Sequence, residues 1–340
     1  MNTILAMIIS GVLSLGITGL LGYGIIPWLR KLKFGQTILE EGPKWHKSKQ
    51  GTPTMGGIMF IIGIFFSAAL VLVINYITGN KLGLTGDMNT KLWAGIIMAL
   101  MFGLVGFADD YIKVVKKRNL GLSIIQKSIA QLAICAGYLT SLYLAMGKDP
   151  YMIVPFFGNI KLGFFFWILG VCVIYGAINA VNFTDGIDGL CSSVTATAAV
   201  SFIAIAMLNK FFGVGILAAA LLGGCIGFFL WNKFPAKVFM GDTGSMFLGG
   251  MVVAIAYAMD CPVILLLTGF IYVIEALSDV IQIGYYKITH GKRIFKMAPI
   301  HHHFEMCGWS EKKIDAVFCA VNLIAGIIGV VVMYYGTFRV

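Results

Sequence analysis

Apolar residues run along this chain in blocks of roughly 20, too unbroken for alternating strand faces or for one-sided surface helices. Blocks near 4–29, 54–78, 92–108, 124–146, 163–181, 190–208, 214–231, 245–259, 262–287 and 314–336 predict about ten helices. Each is long enough to cross the ~30 Å hydrocarbon core of a bilayer. The polar interruptions leave no room for a separate soluble domain, so residues 1–340 read as one all-α, polytopic membrane domain.

Composition agrees with that pattern: hydrophobic residues make up 59% and charged residues only 12%, against about 25% charged in soluble domains. Mean hydropathy is +0.90. Nothing basic precedes the first block, while Arg30, Lys31 and Lys33 follow it, which predicts an anchor rather than a cleaved leader. The segments after blocks 1, 3, 7 and 9, with the adjoining helix ends, hold six, five, two and six of the 25 lysines and arginines. The positive-inside rule places those segments in the cytoplasm and both termini outside. Gly147 to Gly163, with Pro150, Pro155 and Gly158-Asn159, predicts a short external hairpin.

A net charge of +10 follows mainly from that bias, and it also suits anionic lipids or a polyphosphate substrate. Nucleic acid is excluded as a partner for want of a soluble basic domain. The seven cysteines are scattered without a C-x-x-C pair, so they read as small apolar packers.

Four polar motifs interrupt the apolar pattern, and all fall at the predicted cytoplasmic face: Phe107 to Lys113, Asn182 to Gly189, Phe239 to Ser245 and Ala298 to Glu305. Acids and histidines at a bilayer rim are costly and mark chemistry or transport. Asp109 and Asp110 oppose the dipole of a helix C-terminus, with Lys113 and Lys117 at i+4 and i+8 from Asp109. They are a general-base or metal pair, or else a solvated helix end. Asn179, Asn182, Asp185 and Asp188 recur every third residue. Gly186 and Gly189 suggest that the helix breaks there and turns these groups inward, while a capped turn is the plainer alternative. Asp242 is a lone carboxylate between glycines, suited to magnesium, and Thr243 or Ser245 could cap the next helix. His301, His302 and His303 lack the i, i+4 spacing of a helical zinc site but can donate to pyrophosphate oxygens. With no phosphate-binding glycine loop, phosphates fall to magnesium, Lys113, Lys117 and Lys127. Glu275 and Asp279, inside the ninth block, are the acids that suit an ion-coupled transporter instead.

Taken together the chain resembles the phospho-N-acetylmuramoyl-pentapeptide transferase family of the polyprenyl-phosphate N-acetylhexosamine-1-phosphate transferase superfamily. The likeness runs through the Lys49 to Gly57 loop and all four motifs, and is most specific at Ala298 to Glu305. It implies magnesium-dependent transfer of phospho-N-acetylmuramoyl-pentapeptide from UDP to undecaprenyl phosphate, giving lipid I and UMP in a bacterial cytoplasmic membrane. A sister transferase using UDP-N-acetylglucosamine is the nearest alternative. The resemblance implies a cytoplasmic site on loops near 30–53, 109–123, 182–189, 232–244 and 288–313, and a homodimer. Asp109, Asp110, Asp242, His301 and His302 would be catalytic, with Asp242 on the metal. Lys49, Thr52, Asn179, Gln282 and His303 would bind substrate with the three lysines. Asp188 and Phe239 would hold uracil, with Asn182, Asp185 and Asn232 nearby.

Overall fold

The computed structural model describes residues 2–32, 49–79, 86–116 and 120–337. Each of the ten apolar blocks folds as helix: α1 (Thr3–Lys31), α2 (Gly57–Ile77), α3 (Gly86–Val115), α4 (Ile124–Ala145), α5 (Phe165–Thr184), α6 (Leu190–Leu208), α7 (Phe212–Asn232) and α8 (Gly241–Ala258), then the short α9 (Leu265–Thr268) with α10 (Phe270–Ile288), and, after the short α11 (Ile300–Met306), α12 (Glu311–Thr337). Among the described residues, eight helices are long and apolar enough to span a membrane, and the bent α9–α10 pair makes a ninth.

The remaining block, the eighth, is α8, which is enclosed by protein: every residue from Thr243 to Ala258 is buried. Its most extensive packing is against antiparallel α3, with α5 on another side. Small residues bring the backbones together, as membrane helices require when no hydrophobic force separates lipid from side chain. At Gly106 of α3 the approach is closest, since a Cβ there would lie 2.1 Å from the Asp242 carbonyl oxygen. The C-terminal end of α3 is thereby set against the start of α8.

The opposite end of this pair carries a buried ion pair. Lys91 Nζ of α3 donates to both Asp260 oxygens at 2.7 and 2.9 Å, just past the end of α8, and Tyr151 Oη donates to Asp260 at 3.3 Å. Tyr151 opens the expected hairpin, β1 (Tyr151–Val154) and β2 (Gly158–Lys161), paired antiparallel with Tyr151 opposite Lys161. The Ile153 N–H donates to the Asp260 carbonyl at 2.7 Å, which docks the hairpin on the same turn.

Three expectations are corrected. Helix α3 continues two turns past residue 108, so Asp109, Asp110 and Lys113 are helical and the expected loop 109–123 begins only after Val115. The block 262–287 is not one rod, because the chain bends by 87° between Pro262–Thr268 and Phe270–Ile288. Asn322 of α12 replaces the helix bonds lost at Gly269: its side chain accepts from the Ile271 N–H at 3.1 Å and donates to the Thr268 carbonyl at 3.0 Å. A break inside the apolar zone persists only where the protein satisfies the freed backbone. Finally, within the expected site loop near 288–313 the histidine string lies on helix α11, and His301 is fully buried.

Candidate active site

The ends of α3 and α5 and the start of α8 converge on three carboxylates. Ligand oxygens of Asp109, Asp110 and Asp242 all lie within 4.8 Å of one another. Like charges this close cannot all ionise without compensation, and two ammonium groups supply it. Lys113 Nζ lies 2.6 Å from Asp109 and 3.2 Å from Asp242, and Lys127 Nζ lies 2.9 Å from Asp242. The first lysine comes one helical turn after Asp109, and the second projects from the first turn of α4, whose start is fixed by a Ser123–Gln126 capping box.

The three acids are held differently. Asp109 is buried and accepts from the Leu122 N–H at 2.8 Å. Asp110, also buried, accepts from the Asp242 and Thr243 N–H groups at 3.3 and 2.9 Å and from the Thr243 hydroxyl at 2.7 Å. Thus Asp110, from another helix, fills the capping role expected of Thr243 or Ser245. Asp242 is the more open, its side chain 20% exposed. The Asn182 amide orients it, donating to Asp242 at 3.0 Å and to Ser245 at 2.7 Å. Hard carboxylate oxygens in this number suit magnesium, which needs only one or two from the protein.

A second cluster ties four segments beside the first. Lys49 Nζ lies 2.7 Å from Asp188 and 2.6 Å from Glu311, the first residue of α12. The other Asp188 oxygen accepts from the Ala236 N–H at 2.8 Å, and Glu311 accepts from the Asp188 N–H at 3.0 Å. Asn232 accepts from the Gly189 N–H at 3.1 Å and donates to the Val238 carbonyl at 2.9 Å. Phe239, half-buried, is held through its backbone, donating to Pro53 O and accepting from the Gly56 N–H, both at 2.8 Å. Thr52 closes the Lys49 turn at 3.1 Å. Asp185 ends α5 between the two clusters and accepts no hydrogen bond among the described residues. Burial, followed by the charges of Asp242, Asp110 and Asp188, pushes its carboxyl well above the ordinary range.

The remaining expected residues have hydrogen-bond partners outside these two clusters. Asn179 donates to Gln131 of α4 and to the Tyr175 carbonyl, one turn back from the cluster. Gln282 spends its amide on the backbone of residues 294–295. His302 pairs with Glu305 at 2.6 Å, and His303 Nδ1 accepts from the Lys296 N–H at 3.1 Å. Lys117 lies outside the described residues. Glu311 was missed by the sequence reading, because an acid opening a helix reads as an ordinary complement to its dipole.

Apolar helices carry a carboxylate and lysine cluster at one end, and residues 92–260 match the glycosyl transferase family 4 pattern. This is a membrane transferase. Residues 49–61 match phospho-N-acetylmuramoyl-pentapeptide-transferase signature 1. The phospho-N-acetylmuramoyl-pentapeptide-transferase of Desulfitobacterium hafniense is 43% identical over 97% of this chain and 98% of its own length. Those of Shouchella clausii and Listeria monocytogenes serotype 4b are each 45% identical, over 90% and 91% of this chain and 90% and 93% of their own lengths. The chain belongs to the phospho-N-acetylmuramoyl-pentapeptide-transferase family.

Proposed function

We propose that this enzyme transfers phospho-N-acetylmuramoyl-pentapeptide from its UDP carrier to undecaprenyl phosphate, releasing UMP and forming lipid I. The observation that carries this reading is the convergence of Asp109, Asp110 and Asp242 with Lys113 and Lys127 at one end of a membrane bundle. There a lipid phosphate at the headgroup plane and a soluble nucleotide can meet. The bias of basic residues supports a cytoplasmic placement of that end.

Asp242 is the principal holder of magnesium in this reading, with Asp109 beside it, since Asp110 is largely committed to the start of α8. The bound ion would supply charge neutralisation on the pyrophosphate. Lys113 and Lys127 then turn from carboxylates to phosphate oxygens, offering charge-assisted hydrogen bonds where negative charge develops. Asp109 orients the acceptor phosphate, or takes its remaining proton. A phosphate monoester has a second pKa of ~6 and is largely ionised near neutrality, so its oxygen can attack the β-phosphorus directly as UMP departs. The second cluster, with Lys49, Asp188, Asn232 and Phe239, receives the uridine.

The test is UMP release from purified protein with undecaprenyl phosphate, with and without magnesium, using the UDP-linked muramoyl-pentapeptide and UDP-N-acetylglucosamine in parallel. Magnesium-dependent release from the first donor alone is expected. Release from UDP-N-acetylglucosamine alone would instead make the enzyme a sister transferase.

A further inference from the structure

Glu275 lies on α10, six residues past the break at Gly269, and is fully buried. One of its oxygens is 3.0 Å from Nδ1 of His301, itself fully buried on α11. Each member of the pair has a second polar atom with no hydrogen-bond partner among the described residues, Glu275 Oε1 and His301 Nε2. Isolating such atoms from water costs stability, and an apolar pair of similar volume would pack there without that cost. Stability therefore does not explain the pair.

The direction of the ring supplies the missing explanation. Accepting from Nδ1–H, Glu275 turns the opposite nitrogen toward the Asn182–Gly189 motif. A Cβ added to Gly186 would lie 2.1 Å from Nε2 and 2.6 Å from Cε1. Only glycine lets that turn settle against the imidazole. Asp185, beside the carboxylate cluster, directly precedes Gly186, and Asp188, held by Lys49, follows two residues on. We propose that Glu275 is a positioning residue: it fixes His301 as a wedge against Gly186, and so sets the turn that receives the UDP donor. Glu275 makes no contact with the reacting atoms, and its placement depends on the break that Asn322 secures. The inference rests on the reading of the 185–189 turn as part of the donor pocket.

The test is a double-mutant cycle on the full chain in detergent, with kcat and KM measured separately for donor and polyprenyl phosphate. Glu275→Leu removes the acceptor, Glu275→Gln keeps one, and Gly186→Ala crowds the ring from the other side. Glu275→Leu and Gly186→Ala should each lower donor kcat/KM by about tenfold or more, with the KM for polyprenyl phosphate unchanged. Glu275→Gln should recover most of the loss seen in Glu275→Leu. Because both lesions displace one ring, the double variant should be no worse than the poorer single, about tenfold better than the product of the two. Independent, multiplying effects would overturn the proposal, as would a Glu275→Gln loss equal to that of Glu275→Leu. Should the cycle be coupled but the losses fall on the polyprenyl phosphate side, the wedge stands and the donor-pocket reading is the part that fails.

Discussion

Asp110 caps the helix that carries Asp242: three donors from Asp242 and Thr243 converge on its carboxylate, at 2.7 to 3.3 Å. Two acids that look equivalent in the motifs therefore do different work. Asp110 acts on the backbone that presents Asp242, and Asp242 faces the lysines. Losing a helix cap costs about 0.5–2 kcal/mol. Asp110→Ala should lower the thermal midpoint as well as activity, whereas Asp242→Asn should abolish turnover at a near-normal midpoint. Melting curves of the two variants beside UMP release check the division, and an unaltered midpoint in Asp110→Ala refutes it.

Lys127 and Lys113 lie against the same carboxylates that would hold magnesium. Lys127→Met should therefore destabilise the metal-free protein more than the magnesium-loaded one, because the cation takes over the same carboxylates. Thermal midpoints with EDTA and with excess magnesium measure this. Equal losses in both conditions would place magnesium elsewhere.

Phe239 is anchored through its backbone to Pro53 and Gly56, and its half-buried ring stands beside the second cluster. Base stacking on an aromatic ring is worth about 1–3 kcal/mol. Phe239→Ala should raise the donor KM and the UMP inhibition constant together, on the order of tenfold to a hundredfold, with the acceptor KM unmoved. Unchanged affinity for UMP would move the nucleoside pocket away from this loop.

Asp185 is expected to make stability depend on pH in the metal-free protein. Its carboxyl is raised by burial and neighbouring acids, so between the ordinary value near 4 and the raised one the folded state binds the extra proton. Stability then falls as pH rises through that window. Asp185→Asn removes the titrating group, and its midpoint should gain on the parent as pH is raised. A constant difference between the two proteins across pH contradicts the assignment.

Direct attack by the lipid phosphate forms no phospho-enzyme. Enzyme stripped of polyprenyl phosphate should then exchange no labelled UMP into the UDP donor. Clear exchange would favour a two-step route through a carboxylate of the Asp109–Asp110 pair.

Much of this architecture is legible in the sequence because the bilayer imposes it: ten apolar blocks become helices, and acids at their rims stand out by cost alone. What stayed hidden depends on partners distant in the chain. No residue pattern marks the break at Gly269, since a glycine in an apolar run is unremarkable and the group that stabilises the bend, Asn322, belongs to another helix. Glu275 suggested ion transport until the fold brought it to His301. Asp110 looked like a twin of Asp109 because the sequence does not reveal that α8 begins at Gly241.

The ties at the two ends of α8 have a mechanical consequence. Asp110 grips its first turn and Lys91 holds Asp260 just past its last, and both gripping residues belong to α3. A slip of one residue along the helix axis, 1.5 Å, would tear both attachments and press Asp242 into Gly106. The two rods thus form a single gauge block of fixed length. The spacing of the three carboxylates is therefore set by the bundle and not by the loops that join its helices.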